Sequence, residues 1–363
     1  MVGLGEIFRQ HGAVYRGKYG RRMPPNHHQV MRAIERCRTK ALGGHVYQCP
    51  DCGELQYRYH SCRNRHCPQC QQGTAQQWLE KQKDLLLPTP YFMLTFTLPE
   101  GMRRVARSHQ KLFYNLLFRA SVAATQKLSQ DPRFIGGHVG MVGVLHTWGR
   151  TLTYHPHVHY LVPAGGVDKN GSWIPARNAF LMPVKALAKI FRAKFRQALR
   201  KSDCYDEIPA KVWRQPWVVH CKAVGDGASA LKYLAPYIFR VAISNKRIVK
   251  MSDTHVTFRY RSTKTGKIKT CTLLAEEFIR RFLQHVLPKG FVKVRYYGFF
   301  SPGLRPRLAP LREQLDRAYP QPDAHTNDSQ SQANQQPDHL LCPVCGQIMR
   351  KLKPIPPCED KPP

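Results

Sequence analysis

The chain has 363 residues, of which 57 are lysine or arginine and 23 are acidic, so its formal net charge is +34. This length favours one large core with small appended modules, and the charge favours a polyanion, above all nucleic acid, as the partner. No apolar stretch reaches the roughly 18 residues that span a bilayer, and no signal peptide begins the sequence, so we exclude a membrane partner and expect a cytoplasmic chain, nucleoid-associated when bound to DNA.

Hydrophobic periodicity and turn residues predict a mixed chain of helices and strands. Helices are predicted over residues 30–40, 73–87, 102–130, 184–201, 227–240 and 275–286. Strands are predicted over 91–98, at two stretches within 138–162, and over 217–221, 241–250, 255–260 and 291–297. Residues 320–340 are rich in Gln, Pro, Asn and Asp, a composition typical of a flexible linker.

Paired cysteines in the first fifth of the chain predict a structural zinc site. Two Cys-x-x-Cys turns are separated by fourteen residues, and each such knuckle lets two thiolates grip one ion. The predicted Zn²⁺ ligands are Cys49, Cys52, Cys67 and Cys70. Neighbouring residues could offer a second zinc or alternative ligands, which spacing does not assign: Cys37, His45, His60, Cys62 and His66. A further pair, Cys342 and Cys345, follows the polar linker and is a weaker zinc prediction.

Three histidines occur at every second position in a predicted strand. His155, His157 and His159 therefore project from one face of a sheet, where converging imidazoles can hold a divalent ion that polarises a phosphate. The alternative interpretation is a half-buried strand that happens to carry histidines. His146 lies on the preceding strand and reaches the same site if the two strands pair antiparallel, although core packing explains it about as well.

Two tyrosines, Tyr233 and Tyr237, are spaced by four residues and would share one face of a helix. A tyrosine hydroxyl can attack a DNA phosphate and form a covalent ester, although an aromatic stripe packed on the core is the commoner meaning of such a pair. Pro236 between them should bend or restart the helix. Basic residues around the pair are the candidate DNA-binding groups: Lys232, Arg240, Lys246 and Arg247.

These motifs together resemble the HUH rolling-circle transposases of bacterial insertion sequences, relatives of Helitron transposases and Rep endonucleases. The resemblance spans about residues 30–300 and is carried by HPHVHYLVPAGG, YLAPYIFRVAISNKRI, CRNRHCPQC, GVLHTWGRTL and EEFIRRFLQHVLPKGFVKVRYYGF. It implies an α+β fold with a central antiparallel sheet and flanking helices, in the style of an RNA-recognition-motif palm, together with a small N-terminal zinc-binding module.

The resemblance also implies site residues and a reaction. The metal-binding histidines fall on His157 and His159, with His155 as an auxiliary candidate, and the nucleophiles fall on Tyr233 and Tyr237. The implied cofactor is Mg²⁺ or Mn²⁺, and the implied reaction nicks one strand at a transposon end through a 5′-phosphotyrosine. Relatives often carry an amide where this chain has Arg150, which cannot bind a metal, so the third ligand stays open between His155 and His146.

The predicted organisation has four parts. They are a basic segment with the zinc-binding module at 1–72, the nicking domain at 73–302, a flexible linker at 303–341, and a tail with a candidate zinc knuckle at 342–363. The alternative function is a non-catalytic, zinc-dependent DNA-binding protein or repressor, which accounts for the charge and the cysteines but not for the histidine strand. A nuclease built on metal-bound carboxylates is disfavoured because the acidic residues form no cluster in the sequence.

Overall fold

The computed structural model describes residues 2–70, 78–80, 82, 85–177, 181–227, 229, 231, 242–262, 265–318 and 340–358. Its helices are α1 Leu4–Tyr19, α2 Pro25–Arg36, α3 Arg103–Ser108, α4 Gln110–Ser129, α5 Val184–Leu199, α6 Lys211–Arg214, α7 Ala275–Leu283 and α8 Leu308–Ala318. Its strands are β1 Gly44–Gln48, β2 Leu55–Tyr59, β3 Tyr91–Thr97, β4 Met141–Trp148, β5 Tyr154–Pro163, β6 Gly165–Val167, β7 Trp173–Pro175, β8 Val219–Ala223, β9 Ile248–Met251, β10 His255–Arg261, β11 Ile268–Leu274, β12 Val294–Tyr297 and β13 Arg350–Ile355.

The central sheet has five strands in the order β12-β4-β5-β3-β8, and every neighbouring pair is antiparallel. Helices α4 and α5 cover one face, where Phe96 and Tyr160 from the sheet pack with Phe113, Phe118 and Phe191 from the helices. Because side chains alternate along a strand, burial of Val158 and Tyr160 on this face turns the histidines of β5 to the other. The predicted α+β fold with a central antiparallel sheet and flanking helices is confirmed.

The described residues cover part of the opposite face of the sheet. Helix α8 and the residues before it pack Phe299, Leu311 and Leu315 against the sheet residues Met93 and Leu161. His157 and His159 precede Leu161 at alternate positions of β5 and therefore lie on this same face. The histidines therefore occupy the end of the face that lies next to this apolar cluster.

The N-terminal helices share a core with a later part of the chain. Helices α1 and α2 pack with α7 and with the three-stranded sheet β11-β10-β9, and Phe8, Phe258, Phe278 and Phe282 are fully or almost fully buried there. Helix α2 begins directly after Pro24, with Pro25 in its first turn, where proline costs no hydrogen bond. It therefore begins five residues before the predicted helix over 30–40.

Several element predictions need correction. The helix predicted over 102–130 is divided at His109, whose φ of −116° and ψ of 45° are not helical. The strand predicted over 241–250 is limited to β9. The helices predicted over 73–87 and 227–240 lie largely outside the described residues. Among the described helices, none is both long and apolar enough to cross a membrane.

A third sheet joins the two ends of the described chain. Strand β13 pairs antiparallel with β1, which pairs antiparallel with β2. The predicted tail at 342–363 thus contributes β13 to a sheet with β1 and β2 of the N-terminal segment.

Candidate functional site

Three histidines from two paired strands form a cluster on the face of the central sheet opposite α4 and α5. His157 lies directly opposite His146 in the β4–β5 register, and His159 follows His157 on the same face. The ring centroids are 5.3 Å apart for His146 and His157, 4.8 Å for His146 and His159, and 4.9 Å for His157 and His159. One ring nitrogen from each lies within 4.8 Å of the others, close enough to ligate a single ion.

Hydrogen bonds orient the rings of the two β5 histidines. His157 Nδ1 lies 2.7 Å from the backbone carbonyl oxygen of His155, so this nitrogen carries the proton and donates it. His159 Nδ1 lies 2.9 Å from the hydroxyl of Thr95 on β3. These two hydrogen bonds fix the orientations of the rings, and such outer hydrogen bonds accompany almost every histidine that ligates a metal.

Burial keeps these imidazoles uncharged. Desolvation lowers the pKa of His157 to about 3, and a smaller repulsion from His159 adds to the effect. Desolvation also lowers the pKa of His159 to about 4. A metal ligand must be deprotonated, so both residues are in the required state at neutral pH.

The structure corrects the prediction for His155. Its ring lies on the same sheet face, 5.2 Å from that of His157, but its Nδ1 accepts a hydrogen bond of 2.8 Å from Arg103. The cluster consists of His146, His157 and His159 and does not include His155. The strand pairing places His146 opposite His157, next to His159, whereas the hydrogen bond with Arg103 engages His155 outside this group.

The turn between β4 and β5 is held from outside by three side chains. The carbonyl oxygens of residues 150, 151 and 152 accept hydrogen bonds from Arg247 at 2.7 Å, Arg281 at 3.1 Å and His285 at 3.1 Å. Leu152 is fully buried and has a φ of 61°, a conformation that non-glycine residues rarely adopt. The hairpin that carries the histidines is therefore anchored to the layer containing α7.

The predicted DNA-binding residues differ in how the structure presents them. Arg247 donates to two backbone carbonyls, those of Arg150 and Arg259, so it supports the turn. Lys246 is exposed beside it. Arg150 donates to the carbonyl of Arg261 and has no place in the histidine cluster. The remaining predicted residues, Tyr233, Tyr237, Lys232 and Arg240, lie outside the described residues.

The four cysteines predicted to form one zinc site are divided between two clusters. Cys67 and Cys70 join Cys37 and Cys62, whereas Cys49 and Cys52 join Cys342 and Cys345. Strand β2 explains the separation, because its five residues span about 16 Å and place the two knuckles at opposite ends of the β1–β2 hairpin. The single four-thiolate site is therefore wrong in its grouping, and Cys37 and Cys62, which spacing alone does not assign, complete the first cluster.

The first cluster is packed into the fold. Sγ of Cys70 lies 3.6 Å from those of Cys37 and Cys62, and the sulfurs of Cys37 and Cys67 are also 3.6 Å apart. A tetrahedral zinc with bonds of about 2.3 Å sets its sulfurs about 3.8 Å apart. Hydrogen bonds from the thiols of Cys62 and Cys67 lower the pKa of Cys37, and the same contacts raise the pKa values of Cys62 and Cys67.

Comparisons with known proteins match two regions of the chain. Residues 140–307 match a family model described as "Putative transposase", and residues 7–98 match one described as "Transposase zinc-binding domain". The first span contains the histidine cluster, and the second contains the cluster of Cys37, Cys62, Cys67 and Cys70.

Two relatives cover most of the chain. "Putative transposase y4qJ" of Sinorhizobium fredii is 40% identical over 341 residues, which are 88% of this chain and 85% of the relative. "Transposase for insertion sequence element IS801" of Pseudomonas savastanoi pv. phaseolicola is 28% identical over 337 residues, 86% of this chain and 80% of the relative. No solved structure matches the chain significantly. The chain belongs to the IS91-type transposases, enzymes of mobile DNA with a zinc-binding domain, and the resemblance predicted from its motifs is confirmed.

Proposed function

We propose that this transposase nicks and rejoins single DNA strands at transposon ends through a 5′-phosphotyrosine intermediate, in a rolling-circle type of transposition. The observation that carries the proposal is the cluster of His146, His157 and His159 on one face of the central sheet. A non-catalytic DNA-binding protein would have no use for three converging imidazoles.

The donor set fits a divalent metal ion, for which the implied choices are Mg²⁺ and Mn²⁺. When bound, the ion supplies positive charge beside a scissile phosphate and polarises it for attack. The chain's own contribution is to hold the imidazoles of His157 and His159 in place, through the carbonyl of His155 and the hydroxyl of Thr95. Three imidazoles, with no carboxylate in the cluster among the described residues, suit Mn²⁺ better than Mg²⁺, which prefers oxygen ligands.

The covalent step is a transesterification at phosphorus. The phenolic oxygen of Tyr233 or Tyr237 forms a bond to the phosphorus, and the bond from phosphorus to the 3′-oxygen of the preceding nucleotide breaks. The phenol loses its proton and the 3′-oxygen gains one, so the products are a 5′-phosphotyrosine and a free 3′-hydroxyl. Rejoining is the reverse attack by a 3′-hydroxyl.

The residues before the tyrosine pair support its role. Leu231 is buried in the apolar cluster with Met93 and Leu161, on the sheet face that carries the histidines. Tyr233 and Tyr237 follow Leu231 by two and six residues in the sequence. We therefore propose that the nucleophile comes from the segment that follows this buried leucine.

The test uses a radiolabelled single strand from a transposon end, incubated with the protein and Mn²⁺ and then denatured. We expect an adduct that survives denaturation in the wild type and is lost when Tyr233→Phe and Tyr237→Phe are combined. Tyr260→Phe, which changes a partly exposed tyrosine on β10, is the matched control and should retain the adduct. An adduct that persists in the double variant would refute the tyrosine assignment.

A second pair of variants tests the metal site. His146→Ala should abolish cleavage while binding of the same strand is retained, because it removes one of three ligands. His155→Ala should retain cleavage, because its ring hydrogen-bonds Arg103 and not the cluster, and its backbone carbonyl is unchanged. Equal loss of cleavage in both variants would contradict the assignment of the third ligand.

A further inference from the structure

We propose that a second zinc ion binds Cys49, Cys52, Cys342 and Cys345 and thereby closes a zinc ribbon made from two distant parts of the chain. The matched family model for the zinc-binding domain ends at residue 98, so it contains only half of this ligand set. The site does not depend on the nicking chemistry proposed above.

The four thiols already have the spacing of a tetrahedral site. Sγ of Cys345 lies 3.4 Å from that of Cys49 and 3.6 Å from that of Cys52, and the sulfurs of Cys52 and Cys342 are 3.5 Å apart. All four sulfurs lie within 4.8 Å of one another. Zinc–sulfur bonds of about 2.3 Å require separations near 3.8 Å, so an ion fits with shifts of a few tenths of an ångström.

The two knuckles have the same backbone design. Each reads Cys-Pro-x-Cys-Gly, and in each the glycine N–H donates to the carbonyl of the first cysteine, at 3.1 Å for Gly53 and 2.9 Å for Gly346. These glycines have φ values of 76° and 77°, and a Cβ added to either would meet no neighbour within 4 Å. The left-handed backbone conformation, and not close packing, therefore favours glycine at both positions. The first cysteine of each knuckle also donates its N–H, Cys49 to Glu54 and Cys342 to Gln347.

The sheet around this site has little apolar core of its own. Its buried apolar cluster consists of Cys49, Cys342 and Met349, with Tyr47 and Leu340 packed at the edge, and Val46 of β1 is also buried. So small a core contributes little free energy of folding. Metal binding can supply the missing free energy, as it does in small zinc modules that unfold without their ion.

The experiment counts zinc in the purified full-length chain by mass spectrometry under reducing conditions. We expect two zinc ions per chain in the wild type and one in Cys345→Ser, while Cys70→Ser also loses one and Cys358→Ser keeps both. Cys358 is the matched control because it is close in sequence to the second knuckle but outside both clusters. One zinc in the wild type, or two in Cys345→Ser, would overturn the proposal.

A spectroscopic variant covers the case in which Cys345→Ser fails to fold. Cys345→His keeps a ligand at the same position and should still bind two ions. After exchange of zinc for Co²⁺, its visible ligand-field bands should shift to shorter wavelength, because one thiolate of the site becomes an imidazole. Cys358→His should leave the wild-type spectrum unchanged. Identical spectra for Cys345→His and the wild type would refute ligation by Cys345.

Discussion

Replacing Thr95 with valine tests whether the hydrogen bond between Thr95 and His159 sets the metal affinity of the histidine cluster. Valine keeps the β-branched shape that suits β3 and removes only the hydroxyl that lies 2.9 Å from His159 Nδ1. Loss of such a partner typically lowers metal affinity 10- to 100-fold, which corresponds to about 1.4–2.7 kcal/mol. We expect the Mn²⁺ concentration that gives half-maximal cleavage of a labelled strand to rise by that factor.

The maximal rate at saturating Mn²⁺ should stay near the wild-type value, because the three ligands themselves are unchanged. Thr97→Val is the control: Thr97 lies two residues along the same strand, opposite His157, and among the described residues its hydroxyl has no histidine partner. A Thr95→Val variant with unchanged Mn²⁺ dependence, or one that excess Mn²⁺ does not rescue, would refute the reasoning.

Three further predictions follow from the same structure. Leu152→Ala should lower the free energy of unfolding by about 2–5 kcal/mol in urea denaturation, because its side chain is fully buried; Ile268→Ala, at 65% exposure, should change it by less than about 0.5 kcal/mol. Burial lowers the pKa of His285 to about 4. The neutral ring therefore stabilises the fold fully above the unfolded pKa of about 6.5, and this stabilisation is lost as the pH falls from there toward 4. His285→Gln should reduce the slope of unfolding free energy against pH in that window by up to about 1.4 kcal/mol per pH unit, and an unchanged slope would contradict the role given to His285. Cleavage should need less Mn²⁺ than Mg²⁺, measured as the half-maximal concentration of each ion, and the reverse order would argue against three imidazole ligands.

The histidine site shows which features a local sequence pattern can predict and which depend on strand pairing. Alternation along β5 is a property of consecutive residues, so the sequence correctly predicted a shared face for His155, His157 and His159. Membership of the cluster depends on the pairing of β4 with β5, including an irregularity after His146. No periodicity in either strand encodes that register, which is why His146 and His155 could not be ranked from the sequence.

The cysteines show a different limit. Proximity in sequence favoured joining Cys49 and Cys52 to Cys67 and Cys70, whereas the hairpin between the knuckles keeps them apart. The repeated Cys-Pro-x-Cys-Gly motif was a usable signal for pairing the first knuckle with the one at Cys342. The contribution of α1 and α2 to a core with α7 could not be predicted, because it depends on contacts between residues more than 200 positions apart.

The distance between the two halves of the zinc ribbon has a consequence for synthesis of the protein. Cys342 follows Cys52 by 290 residues, and at about 5–20 residues per second a ribosome needs roughly 15–60 seconds to make that stretch. During this interval the thiols of Cys49 and Cys52 have no native partners, while Cys67 and Cys70 have already been made. A zinc ion that bridges these two neighbouring knuckles during synthesis would hold them in a grouping that the folded protein does not have.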